Sequence, residues 1–217
     1  HLLRQAISRN QIIPPSPMRR MTRFQYSNSV QDLFELKLAV FSLPEQVARE
    51  YGAYYQPQSE KMPDVVKVGN RALGKSQLIE PRLEGITPYP QDLRAEHGFD
   101  NQANQLSLSP ILLEQFMELG QSLVNSSNFN AKSVGIWNEF FAAPQDGELA
   151  TVVQQRLRPF LQRAFRTQLS DSTLERYSRY ALRLMDEGVD FTTAMKRTVS
   201  AILASPRFFY IQDRPDD

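Results

Sequence analysis

Between Leu149 and Leu203 the apolar residues recur in steps of three and four, and the run is punctuated by helix caps. Leu149, Val152, Val153, Leu157, Phe160, Leu161, Ala164 and Phe165 mark one helical face. Pro159 interrupts that face. It either kinks the helix or opens a second one at its first position, where a missing N–H costs little. In LSDSTLERYSRYALRLMDEG, Ser170 is placed to cap a helix, Asp171 to sit against its positive end and Gly188 to terminate it. Leu174, Tyr177, Ala181, Leu184 and Met185 make its inner stripe. Asp190 caps a third helix with Phe191, Met195, Val199, Ile202 and Leu203 facing inward, and Ser205-Pro206 ends it. Helices of this length joined by short turns bury their stripes against one another, so a three-helix bundle is expected over residues 143–217.

The first half is less regular. Val30, Leu33, Phe34, Leu38, Phe41, Val47 and Tyr51 recur at helical spacing over 27–55, with a break near Leu43-Pro44. Residues 56–107 hold Pro57, Pro63, Pro81, Pro88 and Pro90 and read as a long irregular insertion. A minor β element near 64–68 is the one strand-like run there. Ser109 and Pro110 then open a helix with Ile111, Leu112, Gln115, Phe116, Leu119 and Leu123 on one face. The expected fold is mainly α, in two packed helical parts, 1–142 and 143–217.

Composition excludes several chemistries. The 217 residues include no cysteine, which removes disulfides, thiolate metal sites, thiol catalysis and covalent haem c attachment within this chain. A formal charge of +1 gives no global field toward nucleic acid or membrane. Arg4, Arg9, Arg19, Arg20 and Arg23 form a local basic segment, read as packed along its own domain rather than as an arm. No apolar run approaches the ~20 residues of a membrane span. The chain begins at His1 without a signal peptide and reads as a piece of something longer.

The stretch GNRALGKS, residues 69–76, fits the phosphate-loop pattern through Gly69, Gly74, Lys75 and Ser76. Its context argues against nucleotide binding. A working loop joins a buried strand to a long helix, and here only SQLIE follows before Pro81. The match is read as a decoy in a turn-rich loop. The two histidines are His1 and His97, so a His-based site must use His97. Glu96, His97 and Asp100 are the candidate catalytic residues, in a polar cluster running to Asn101. Such a cluster is more often a loop held by side-chain-to-backbone bonds. Trp137, Phe140 and Phe141 are read as packing residues rather than an aromatic sugar platform. No metal site is expected.

RRMTRFQYSNSVQDLF (19–34), GFDN (98–101), SPILLE (109–114) and the segment from Leu157 to Tyr210 stand in a recognisable order. Together they resemble the planctomycete-type, cytochrome c-associated exported proteins built from domains of unknown function. In the first motif Arg20, Thr22, Arg23, Tyr26, Asn28, Val30, Asp32 and Leu33 carry the likeness, with Gln25 replacing the usual acidic residue. In the last, Phe160, Arg163, Ala164, Phe165, Arg166, Leu169, Tyr177, Gly188, Phe191, Ala201, Leu203, Ser205, Pro206, Phe208 and Tyr210 carry it. The haem-attaching segment usual upstream in the family is not in this chain. A β-rich domain often separates the two matched regions, whereas about 25 residues do so here. The connection over 43–97 is longer than usual and contains the phosphate-loop match.

The resemblance implies a periplasmic or secreted location and a cytochrome c-type partner or another segment of the same precursor. It supplies no catalytic residue. The expected function is a non-catalytic helical docking or scaffold module of a redox-associated assembly. Its haem c is placed on a partner or a further segment, not on this chain. The alternative is an enzyme acting on an extracellular substrate such as polysaccharide around Glu96–Asn101, with nucleotide binding a minor alternative. Arg176, Arg179 and Arg183 fall at i, i+3 and i+7, opposite the Leu174/Ala181 stripe. They are the expected partner-facing surface. Nucleic acid is not expected there, because a near-zero net charge gives no long-range attraction to a polyanion.

Overall fold

The computed structural model describes residues 19–40, 81–86, 88–89 and 110–211. The element order is β1 (Arg19–Arg20), α1 (Arg23–Phe34), α2 (Pro110–Asn125), α3 (Trp137–Phe140), α4 (Leu149–Phe165), α5 (Asp171–Asp186), α6 (Phe191–Leu203), α7 (Pro206–Phe209) and β2 (Tyr210–Ile211). The protein is mainly α, and its described sheet is one antiparallel pairing of β1 with β2.

Helix boundaries in the second half follow local chemistry. The Ser170 hydroxyl accepts from the Thr173 amide at the start of α5, and the Asp190 carboxylate accepts from the Thr193 amide at the start of α6. Gly188 takes φ 90° between them, a conformation a side chain would strain. Ser205 caps the single turn of α7, with Pro206 at its first position. Pro159 lies inside α4, which continues through it as one helix. Val153, Leu157, Phe160, Leu161, Ala164 and Phe165 hold that helix in the core, so packing outweighs the one backbone bond that proline removes. Leu149, expected on the inner face, is exposed.

α4 packs on α5, α5 on α6, and α6 on α2. The last pairing is close. A Cβ placed on Gly120 of α2 would lie 2.9 Å from the Ser200 carbonyl oxygen of α6. Glycine is what lets these two backbones approach.

The helix expected over 27–55 is corrected within the described residues. Thr22 caps α1 in a reciprocal capping box with Gln25, so the helix starts at Arg23. It stops at Phe34, with Glu35 left-handed at φ 50°. Beyond it, backbone bonds to distant residues replace helical ones. The Lys37 amide donates to Ser133, and the Ala39 amide to Pro81, while Leu83 donates back to Ala39. The apolar spacing runs on to Leu38, but tertiary pairing decides the backbone. Residues 41–55, the 64–68 element and the Ser109 cap lie outside the described residues.

Of the Pro-rich insertion, 81–86 and 88–89 are described, and they are strapped to the body. Asn128 accepts from the Glu84 amide at 3.0 Å and donates to the Arg82 carbonyl at 3.0 Å. Ser126 donates to the Glu84 carbonyl at 2.8 Å.

The buried apolar residues of both halves form one connected core. One aromatic group joins Tyr26, Tyr89, Phe116, Phe208 and Phe209, and the Phe116 and Phe209 rings stack at 4.3 Å. A second joins Phe34, Phe129, Phe141 and Phe160. Both groups mix residues from before and after position 143.

The pH response of the α5–α6 turn follows from its cap. Hydrogen bonds from the Thr193 hydroxyl and amide hold the Asp190 carboxyl below its ordinary range. A depressed folded pKa stabilises the native state above the unfolded value of about 4, and that gain fades as pH falls through the folded value. Asp190→Ala should therefore cost about 1 kcal/mol at neutral pH. The gap between variant and parent in thermal midpoint should close toward pH 3. A gap that stays constant down to that pH would refute this role for the carboxylate.

Candidate functional site

Two groups of the described cations do different work. The first lies where residues after 148 meet residues before 143. Arg156 of α4 donates to the Phe140 carbonyl at 3.0 Å and the Ala142 carbonyl at 2.6 Å, with its guanidinium 5.0 Å from the Phe191 ring. Arg163 donates to the Asp32 carbonyl at 2.6 Å, at the end of α1, where a cation suits the negative helix terminus.

Arg166 is solvent-exposed overall. Its guanidinium nevertheless reaches the Phe208 carbonyl at 2.9 Å and the Ser29 hydroxyl at 3.3 Å. It sits at φ 52° just after α4, a left-handed position that glycine usually takes. Lys196 of α6 donates to the Phe129 carbonyl at 3.3 Å, and its ammonium lies 5.5 Å from the Phe129 ring and 5.2 Å from the Trp137 ring. Lost hydration lowers the pKa of Arg156, Arg166 and Lys196. These side chains are committed to main-chain carbonyls and aromatic faces within the molecule.

The segment between α2 and α4 receives the Arg156 and Lys196 bonds. The Gly135 amide also reaches the Phe34 and Glu35 carbonyls at 3.1 Å each, closing the end of α1. Trp137 is half-buried under Lys196 and packs on Phe141 at 5.3 Å. That geometry is a packing role.

The second group is the outer face of α5. Arg176, Arg179 and Arg183 are all exposed there. Arg179 pairs with Glu175, and Arg183 approaches Glu187 at 3.7 Å, both one turn away on the same helix. Exposed pairs of this kind hold their charges weakly, by about 0.3–0.5 kcal/mol each. Arg183 also lies 5.5 Å over the Tyr180 ring. The face is rigid because Ser170 caps the helix beneath it and its inner stripe of Leu174, Tyr177, Ala181 and Leu184 is buried.

The candidate catalytic residues Glu96, His97 and Asp100 lie outside the described residues, as do Gly69, Gly74, Lys75 and Ser76 of the phosphate-loop match. Among the described residues no cluster of three or more His, Asp or Glu side chains could hold a metal ion. No described helix is long and apolar enough to cross a membrane. Sequence reasoning passed over Arg156 and Lys196. Arg163 and Arg166 stood within the family motif, but nothing local gave them a partner.

Comparison with known families returns the same two blocks. Residues 19–52 and 78–127 match PSD3, Protein of unknown function (DUF1587), and residues 152–213 match PSD5, Protein of unknown function (DUF1595). The two are typical of planctomycete cytochrome c-associated proteins, and the resemblance read from the motifs holds. No curated protein matches the chain, and no solved structure does.

The PSD3 match breaks between residues 52 and 78, and Gly69–Ser76 falls inside the break. The phosphate-loop pattern is thus no part of the PSD3 match. Two of the first group of cations bridge the matched segments: Arg163 and Arg166, within the PSD5 match, bond to Asp32 and Ser29, within the PSD3 match. β1 and β2 pair the opening of one match with the end of the other, Arg19 opposite Ile211 and Arg20 opposite Tyr210.

Proposed function

We propose that this PSD3–PSD5 unit is a non-catalytic helical docking module of an exported, cytochrome c-associated assembly. The observation that carries the reading is the division of the cations. Those at the domain boundary are engaged by carbonyls, while Arg176, Arg179 and Arg183 stand in water on a rigid helix. A row of guanidiniums one to two turns apart suits a partner with a complementary acidic surface. Such charges raise the association rate and set orientation more than they add raw affinity. The partner of choice is an acidic c-type cytochrome or an acidic segment of the same precursor. It would carry the haem, at a periplasmic or secreted location.

The test is titration of an acidic c-type cytochrome into the protein at low and at physiological salt, followed by calorimetry or by the cytochrome's Soret band. Binding should weaken as salt rises. The double variant Arg179→Glu/Arg183→Glu should weaken it by about tenfold or more. An unchanged affinity in that variant, or no binding at low salt, would sink the reading. So would tight, steeply salt-dependent binding to a random DNA duplex.

A further inference from the structure

The groove between α2 and α6 holds a pocket of about 410 Å3, lined also by Tyr180 of α5. Its size falls in the range of small-molecule sites, about 300–1,000 Å3. The two helices touch closely at Gly120 and Ser200, and Ser200 is part of the pocket lining.

The walls are of two kinds. Met117, Val124 and Ala201 present apolar surface, and Met117 leaves 54% of its area in water, the largest exposure among the exposed large apolar side chains described. Arg197 of α6 supplies a cation at the same opening. Unlike Arg156, Arg163, Arg166 and Lys196, it has no hydrogen bond or ion pair to another described residue. Gln121 and Asn125 of α2, and the Tyr180 hydroxyl, add hydrogen-bonding groups that are likewise unspent among the described residues.

We infer that this pocket binds a small organic carboxylate with an apolar or aromatic body. The carboxylate pairs with Arg197, whose planar fork matches two carboxylate oxygens. The body lies along Met117, Val124 and Ala201. Tyr180 and the two amides select among ligands by hydrogen bonding. The inference concerns the groove between α2 and α6, and it stands whether or not the outer face of α5 docks a protein.

4-Phenylbutyrate is a suitable probe, since it joins a carboxylate to an aromatic body. Heteronuclear NMR titration of the whole chain should show saturable shifts confined to the α2, α5 and α6 residues of the groove. Arg197→Met should weaken binding by about tenfold or more, as should replacing the probe with the neutral 4-phenylbutyramide. The Arg179→Glu/Arg183→Glu pair should still bind at the Met117 wall, which separates this site from the docking surface. Arg197 is exposed, so the thermal midpoint of Arg197→Met should match the parent and report an intact fold. Absence of saturable shifts would overturn the inference. Equal affinity for the neutral amide, or for the Arg197→Met variant, would do the same.

Discussion

Phe116→Ala is expected to cost about 3–5 kcal/mol of folding stability. Phe116 is fully buried on α2, and its ring stacks on Phe209 at 4.3 Å while touching Tyr89 at 4.8 Å and Tyr26 at 5.9 Å. Those neighbours come from α1, from the strapped segment at 88–89 and from α7. Truncation thus leaves a cavity that several elements border, and no single one can collapse into it. The loss should appear in urea unfolding as a lower midpoint with a single transition. It should also loosen both families' segments together, because Phe116 belongs to PSD3 and Phe209 to PSD5. Two separate transitions, with only the PSD3 part destabilised, would show that the two domains fold independently. Phe116→Leu should recover a large part of the loss, since it refills volume without restoring the stack.

Arg156→Ala is expected to cost about 2 kcal/mol, the scale of removing hydrogen bonds made by a charged donor and leaving their acceptors short. The Phe140 and Ala142 carbonyls both accept from this one guanidinium, and the Phe191 ring lies against it. Arg156→Lys should not rescue fully. Both carbonyls accept from the one Nη1 nitrogen, and a lysine ammonium would have to reach the same point while stacking less well on the Phe191 ring. Trp137 is the chain's one tryptophan and lies on the same loop, so its emission reports the local change. The expected result is a lower thermal midpoint and a shifted emission maximum in both variants, larger for alanine. A lysine variant indistinguishable from the parent would show that charge alone holds the loop.

Helix positions after residue 148 were legible because their determinants are local. A cap such as Ser170 or Asp190 acts three residues away, and a stripe such as Leu174, Tyr177, Ala181 repeats within one element. The end of α1 was not legible. Val30, Leu33, Phe34 and Leu38 keep helical spacing, yet the chain leaves the helix after Phe34. The amides of Lys37, Ala39 and Leu83 pair with the carbonyls of Ser133, Pro81 and Ala39, partners that no local pattern announces. Pro159 was ambiguous for the same reason. A proline's cost is local, but the core burial that offsets it is set by the other helices.

The candidate sites divide likewise. Periodicity placed Arg176, Arg179 and Arg183 on the outer side of a helix, because 3.6 residues per turn fixes which residues share a face. It could not tell those arginines from Arg156, Arg163 and Arg166, which have the same side chain and a similar sequence setting. What distinguishes them is a carbonyl brought near by folding, such as that of Asp32 for Arg163, 131 positions away. The groove at Arg197 has the same origin. Sequence alone determined the mainly helical class, the caps and the two-family order. Tertiary structure alone decided which cations are engaged within the body and which face solvent, because a hydrogen bond depends on distance in space and not on distance along the chain.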